Sequence, residues 1–392
     1  MGKTLTEIAQ QLKDANKKVQ LIYAFNGSGK TRLSREFKRL IAPNTNGNEG
    51  NDEAEQPELS RNKILYYNAF TEDLFYWDND LAGDAEPKLK IQPNTFTDWV
   101  LKDQGQDMNV IATFQRYTND KLTPRFNEER KDDETGEVIV KTFSEVTFSL
   151  ERGDDTHSGN LKISKGEESN FIWSIFYTLL EQVIGVLNVP ELGDRETNEF
   201  DQLEYVFIDD PVSSLDENHL IQMSVDLAEL ITRTPPQLKF AVTTHSPLFY
   251  NVLHNELGMK KNPANEGCYL LERLVDGTFN LNTKYGDSNK SFSYHLHLRR
   301  VLEQAIAEDK VERYHFTLLR NLYEKTAGFL GHNQWGDLLS SATGSKEAYV
   351  RTINNFSHSS ISVEQVRDPT PQEKQTVKLL LENLINNYGY WK

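Results

Sequence analysis

Of 392 residues only one, Cys268, is a cysteine, so no internal disulfide can form and no cysteine-based zinc site is available. The opening stretch, MGKTLTEIAQQLKDANKK, has no apolar segment of the kind a secretory signal needs. Long apolar runs are lacking as well, the best candidates being broken by Ser, Asn or Glu short of the roughly 20 residues that span a bilayer. These absences point to a cytoplasmic protein with no membrane partner. Positive charge is scarce: 43 Lys and Arg face 59 Asp and Glu, for a net charge of −16. An acidic average argues against nucleic acid as a partner. The deficit is unevenly placed, however. From Glu266 onward 15 basic and 15 acidic residues cancel, which puts the whole −16 on residues 1–265 and confines the objection to that part.

The composition otherwise describes a globular chain, 37% apolar and 10% aromatic, long enough for two or three domains. Val19–Phe25 (VQLIYAF) reads as a buried strand running into a glycine-rich turn and a helix start. Ile64–Phe70 reads as a further strand, and Tyr205–Asp209 and Lys239–His245 as apolar strands that end in polar residues. Buried parallel strands with functional groups at their carboxyl ends have this pattern. Polar insertions are expected near 44–60 and 127–138, with a strand pair around 140–153. Ser164 opens a capping pattern, S-K-G-E, ahead of an apolar helical run to Leu187. After about residue 266 a hairpin with Asp276-Gly277 as its turn gives way to amphipathic helices. The expectation is an α/β domain over residues 1–265 and a mostly α-helical domain over 266–392.

Ala24–Thr31, AFNGSGKT, fits the phosphate-loop pattern G-x-x-x-x-G-K-[ST] at every defined place but the first, where Ala24 lies on the strand side of the loop. Gly27 and Gly29 would let the backbone N–H groups of Asn26, Ser28 and their neighbours close on a phosphate, while Lys30 reaches the β- and γ-phosphates and Thr31 holds Mg²⁺. A Gly/Ser turn that merely contains Lys has the same local sequence. Further segments of the chain favour the phosphate loop. In VFIDDP (Val206–Pro211), Asp209 suits Mg²⁺ and Asp210 can orient or deprotonate an attacking water. Ser214-Leu215-Asp216 comes next, and Thr244-His245-Ser246 closes the following strand with His245 toward the γ-phosphate. Upstream, Ser164, Lys165, Gly166 and Glu167 start a helix whose end can take an anion.

In this order the segments resemble the ATP-binding-cassette ATPases: Walker A, a signature motif, Walker B, D-loop and H-loop. Two departures stand. Asp210 occupies the place of the usual catalytic Glu, and the Q-loop glutamine has only Asn68 as a candidate. The resemblance implies ATP or GTP with Mg²⁺, and at least a homodimer, because one subunit's signature completes another's phosphate site.

Lys284–Arg300, KYGDSNKSFSYHLHLRR, sets four basic residues against Asp287, with aromatics at 285, 292 and 294. Such a mixture suits the phosphates and unstacked bases of single-stranded RNA, though a solvated helix face with buried aromatics fits it equally. Arg320 and Glu324 are spaced i, i+4 and share a helical face, which is also the spacing of an ordinary surface ion pair. Arg351 and His358 are separated by six residues. Brought together, an Arg, a Glu and a His would make a ribonuclease that needs no metal. One of His358 and Glu324 could take the 2′-OH proton while the other protonates the leaving oxygen, and Arg320 would stabilise the pentacoordinate phosphate.

Over its whole length the chain resembles the bacterial anticodon nucleases, in the segments ISKGEESNFIWS, VFIDDPVSSLD, TTHSP, KYGDSNKSFSYHLHL and HFTLLRNLYEKT. The resemblance implies an NTP-gated ribonuclease that cuts tRNA-Lys 5′ to the wobble base, leaving a 2′,3′-cyclic phosphate and a 5′-OH. It implies Arg320, Glu324 and His358 as the catalytic residues. It also implies a recognition segment with Lys284, Asp287, Ser288, Asn289, Lys290, His295 and His297, Asp287 facing the wobble base. Implied partners are a type I restriction-modification complex that silences the enzyme and a phage anti-restriction peptide that releases it in antiphage defence. Assembly as a dimer or tetramer and dTTP as a regulatory ligand belong to the same set. Arg351 to His358 in addition resembles the HEPN ribonucleases, which makes Arg351 an additional or competing catalytic residue. The alternative is an SMC-type ATPase that remodels or repairs DNA and whose tail docks a partner.

Overall fold

A computed structural model gives the architecture. It describes residues 2–43, 63–68, 71, 73–78, 87–132, 134–150, 160–211, 217–259, 267–274, 276–284, 294–357 and 368–389. Two compact units divide the chain, Met1–Asp287 and Ser288–Lys392. The division falls later than the expected boundary at 265 because the hairpin after it completes the sheet of the first unit.

In chain order the first unit contains α1 (Leu5–Ala15), β1 (Val19–Ala24), α2 (Lys30–Ile41), β2 (Ile64–Tyr67), β3 (Phe75–Asp78), β4 (Lys88–Ile91), α3 (Asp107–Tyr117), β5 (Leu122–Phe126), β6 (Arg130–Lys131), β7 (Val138–Val140), β8 (Glu145–Leu150), α4 (Lys165–Leu187), β9 (Tyr205–Asp209), α5 (Glu217–Thr232), β10 (Lys239–Thr244), α6 (Pro247–Glu256), β11 (Cys268–Arg273) and β12 (Phe279–Thr283). A six-stranded sheet has the order β12-β11-β1-β10-β9-β2. All its pairings are parallel except that of β12, which folds back on β11 through the Asp276-Gly277 turn. Leu21, Ile22, Val206, Phe207, Ala241 and Val242 are all buried. Covered on both faces, these central strands read as unbroken apolar runs in the sequence. The register pairs Tyr23 with Thr244 and Thr243 with Asp209, so the carboxyl ends of β1, β9 and β10 meet at one edge.

A second sheet is antiparallel, in the order β3-β4-β8-β5. The strand pair expected around 140–153 is not one: β8 pairs with β4 and β5, whereas β7 pairs with β6, which lies inside the expected 127–138 insertion. The other expected insertion, 44–60, lies outside the described residues. Helix α4 corrects the expectation that nothing here is long and apolar enough for a bilayer. By length and composition its 23 residues suffice, and 83% of its most apolar window is buried inside the protein. A helix apolar all round marks a core position here, the interruptions Ser169, Asn170 and Ser174 being buried with the rest. Tyr117 on α3 donates to Asp226 on α5 at 2.7 Å, and Arg116 pairs with the same carboxylate at 2.9 Å.

The second unit contains α7 (Tyr294–Ala307), α8 (Arg313–Leu330), a 3₁₀ turn (Trp335–Ser341), α9 (Lys346–Ser357) and α10 (Pro371–Asn387). Its core gathers Leu302, Phe316, Leu319, Leu338, Ile353 and Leu380 from all five. Apolar residues at helical spacing supply each contribution. Tyr323 is buried among them, its hydroxyl bonded to Leu380 O and Asn383 Oδ1, both at 2.9 Å.

Candidate functional site

At the carboxyl edge of the parallel sheet, β1 hands the chain to the Asn26–Gly29 loop and α2. Gly27 and Gly29 have φ of 79° and 92°, conformations L side chains rarely adopt. A Cβ on Gly29 would also come within 3.0 Å of the Phe279 ring on β12. No side chain caps α2 at Gly29, so its first N–H groups are left for the loop's ligand. Ser28 turns inward, its hydroxyl donating to Phe25 O at 2.5 Å. Lys30 is buried, with its ammonium 3.2 Å from Asn26 Oδ1 and 3.3 Å from Asp210 Oδ2.

The two carboxylates at the end of β9, Asp209 and Asp210, experience opposite environments. Burial raises Asp209 above the ordinary carboxylate range, against hydrogen bonds from Thr243 (2.5 Å) and Thr31. Burial would raise Asp210 too, but the hydrogen bond from His245 and the charge of Lys30 outweigh it and hold the group below that range. His245 Nδ1 stands 2.7 and 2.8 Å from the two Asp210 oxygens, and its backbone N–H donates to Oδ1 at 3.2 Å. A carboxylate with a lowered pKa is a weak base, so Asp210 is suited to orienting a water rather than deprotonating it. It sits at φ 53°, in the left-handed region. Asp and Asn tolerate that region better than longer side chains do, a physical reason for Asp where the family pattern has Glu.

Thr31 and Asp209 together present hard oxygen donors, and the residues fit Mg²⁺. The pH signs differ between the two carboxylates. Stability lent by Asp209 is present when it is protonated and is lost as pH rises through its raised pKa. For Asp210 stability is present above the unfolded pKa and lost as pH falls through the lowered one. Asp209→Asn is therefore expected to raise the thermal midpoint at neutral pH without nucleotide by about 1–3 °C while abolishing hydrolysis. Calorimetry beside a phosphate-release assay checks this, and a lower midpoint would contradict it.

Ser164 caps α4, and Glu167 caps it in return: Glu167 N–H donates to Ser164 Oγ at 3.3 Å and Ser164 N–H to Glu167 Oε2 at 2.7 Å. An anion arriving here competes with the Glu167 carboxylate, so the end is less open than its sequence suggests. Lys165 pairs with Glu168 at 2.7 Å, and Gly166 lies in the first turn. Asn68 is committed elsewhere, donating to Tyr66 Oη at 2.8 Å and accepting from Thr71 N–H at 3.2 Å. Asp216 lies outside the described residues.

In the second unit Arg320 and Glu324 pair on α8, Nε to Oε1 at 2.7 Å. Arg320 also donates to Asn354 on α9 at 3.2 Å and faces the Trp335 ring at 5.8 Å. Asn354 and Trp335 carry no motif; only the meeting of α8, α9 and the 3₁₀ turn reveals them. Arg351 is exposed on α9, three residues before Asn354, and His358 lies outside the described residues. Among the expected recognition residues, Lys284 belongs to the first unit, its backbone N–H bonded to Cys268 O at 2.8 Å. His295 is on α7, where burial and then the charge of Lys325 lower its pKa. Asp287, Ser288, Asn289 and Lys290 lie outside the described residues, as does the side chain of His297.

A family model described as AAA domain matches residues 144–385. The phosphate loop precedes that span, which runs on into α10. The chain is 60% identical over 412 residues to an Escherichia coli protein called anticodon nuclease, covering 100% of this chain and 98% of that one. Among solved structures, an SMC head bound to the C-winged helix domain of ScpA is 10% identical with a TM-score of 0.33, covering 70% of this chain and 92% of its own. The SMC head domain from Thermotoga maritima is 13% identical with a TM-score of 0.29, covering 69% and 90%.

Proposed function

The chain belongs to the anticodon nuclease family and is a tRNA endoribonuclease with an AAA-type ATPase domain, and from that premise we propose that it cuts tRNA-Lys 5′ to the wobble base under the control of bound nucleotide. The observation that supports the assignment of roles is the Arg320–Glu324 pair at 2.7 Å on α8, in a compact unit other than the one that carries the phosphate loop. ATP or GTP is the nucleotide, with dTTP as a regulatory ligand. Held by Thr31 and Asp209, Mg²⁺ would neutralise charge on the β- and γ-phosphates. Lys30 leaves Asp210 for the incoming phosphates, Asp210 positions water, and His245 senses the γ-phosphate while holding Asp210 in place.

In the nuclease unit the 2′-OH of the nucleotide before the wobble base attacks phosphorus and the P–O5′ bond breaks. The 2′-OH proton passes to one of Glu324 and His358, and the other gives a proton to O5′, leaving the cyclic phosphate and the 5′-OH. Arg320 stabilises the added negative charge, with Arg351 as an additional or competing cation. The reaction needs no metal in that unit, which we read as HEPN-like. Residues 284–297 contact the anticodon loop. We further read the protein as a cytoplasmic homodimer or tetramer, silenced by a type I restriction-modification complex and released by a phage peptide in antiphage defence.

Incubation of the purified chain with total tRNA is expected to yield discrete fragments with 5′-OH ends. His358→Ala is expected to lose cleavage and keep nucleotide binding. Cleavage retained in that variant removes the assignment of the tail. Intact tRNA together with DNA-stimulated hydrolysis supports the SMC-type alternative.

A further inference from the structure

Beside the Arg320–Glu324 pair lies a cavity of about 430 Å³, lined in part by Glu324, His332, Asn333, Gln334 and Trp335. Its size is within the usual range for a small-ligand site. The walls are fixed from several directions. Gly331 ends α8 with φ 78°, and His332 N–H bonds back to Ala327 O at 2.9 Å. At the start of the 3₁₀ turn the Asp337 N–H donates to the Gln334 backbone carbonyl at 3.1 Å, and the Gln334 N–H donates to Asp337 Oδ2 at 3.3 Å. Trp335 opens that turn with its ring edge-on to Tyr323, at 6.1 Å and 68°. The Arg320 guanidinium lies 5.8 Å from the same ring.

A held indole, two carboxamides and an imidazole around one opening suit a flat heteroaromatic ring with polar edges: the indole stacks and the amides meet the edge. Glu324 joins the cavity to the chemistry, since a group that moves a proton at the ribose must stand next to the base that ribose carries. We propose that this cavity receives an unstacked nucleobase next to the scissile phosphate, with Trp335 as its stacking platform. The inference rests on the role given to Glu324 above and adds Trp335, Gln334 and Asn333 as substrate contacts.

The test uses the full-length protein and anticodon stem-loop RNAs, one intact and a set each carrying a single abasic position in the loop. Trp335→Leu is expected to raise KM for the intact RNA roughly 10- to 100-fold, the range of one base–aromatic stack, with a smaller change in kcat. Trp335→Phe keeps a ring and is expected to stay near wild type. One abasic RNA should show the same loss with the wild-type protein and no further loss with Trp335→Leu. Asn333→Trp, at an exposed position, fills the opening without touching the core and is expected to raise KM similarly, so the idea stays testable if Trp335→Leu folds poorly. Unchanged KM in Asn333→Trp, or additive losses at every abasic position, overturns the cavity assignment. Failure of the wild-type protein to cut the intact RNA overturns the underlying function instead.

Discussion

Glu324→Gln is expected to lower single-turnover cleavage of an anticodon stem-loop by about 100- to 10,000-fold, the contribution of a positioned acid or base. The substitution preserves shape, and the Gln oxygen can still accept the Arg320 Nε–H that Glu324 now receives at 2.7 Å. It removes the negative charge and, with it, the ability to take up or release a proton. Stability should barely change, because Glu324 is well exposed and a surface ion pair contributes about 0–1 kcal/mol. Nucleotide affinity, read by titration with a fluorescent ATP analogue, should stay at the wild-type value. A variant that folds, binds nucleotide and cuts at the normal rate would take proton transfer away from Glu324. Arg320 would then be left as a charge beside Trp335 and Asn354, and Arg351 would become the stronger candidate.

Lys30→Ala is expected to act on stability and on nucleotide binding by separable routes. The ammonium faces Asp210 at 3.3 Å, and both side chains are largely buried. Removing one partner of a buried pair costs about 3–5 kcal/mol, here toward the lower figure because His245 still contacts the carboxylate. The same change removes the charge offered to the phosphates, worth a loss of about 10- to 100-fold in affinity. Adding Asp210→Asn should recover most of the stability and none of the affinity. Denaturant melts and nucleotide titrations on the two single variants and the double variant separate the effects, and a double variant that melts like Lys30→Ala would show that the pair is not what Lys30 supports.

The parallel strands were legible in the sequence because strands covered on both faces must be apolar along their middles, as residues 206–208 and 240–242 are. The antiparallel sheet was not. β3 and β4 have four residues each, and β4 alternates half-buried Lys88 and Lys90 with buried Leu89 and Ile91, a pattern too short to stand out. In β11–β12 the turn chemistry was readable, but membership of the sheet was not, because parallel pairing of β11 with β1 joins residues more than two hundred apart in the chain. At the sites, helical spacing was enough to pair Arg320 with Glu324. The roles of Trp335 and Asn354 depend on how three elements pack, which no local pattern records. Asp210 shows the reverse case: the residue was legible, while its conformation and its hold on Lys30 and His245 had to come from the fold.

Gly29 leaves no room for a side chain beside the Phe279 ring, and that closeness bears on distance along the chain. Phe279 opens β12, and Arg32 of α2 also lies against its ring. Five residues later comes Lys284, the first residue of the proposed recognition segment. At the rise of an extended strand that is a tether of about 17 Å. The proposed recognition segment thus starts within one short strand of the glycine loop between β1 and α2. The Gly29 backbone, the Phe279 ring and the Arg32 guanidinium therefore lie together at the start of the strand that leads to Lys284.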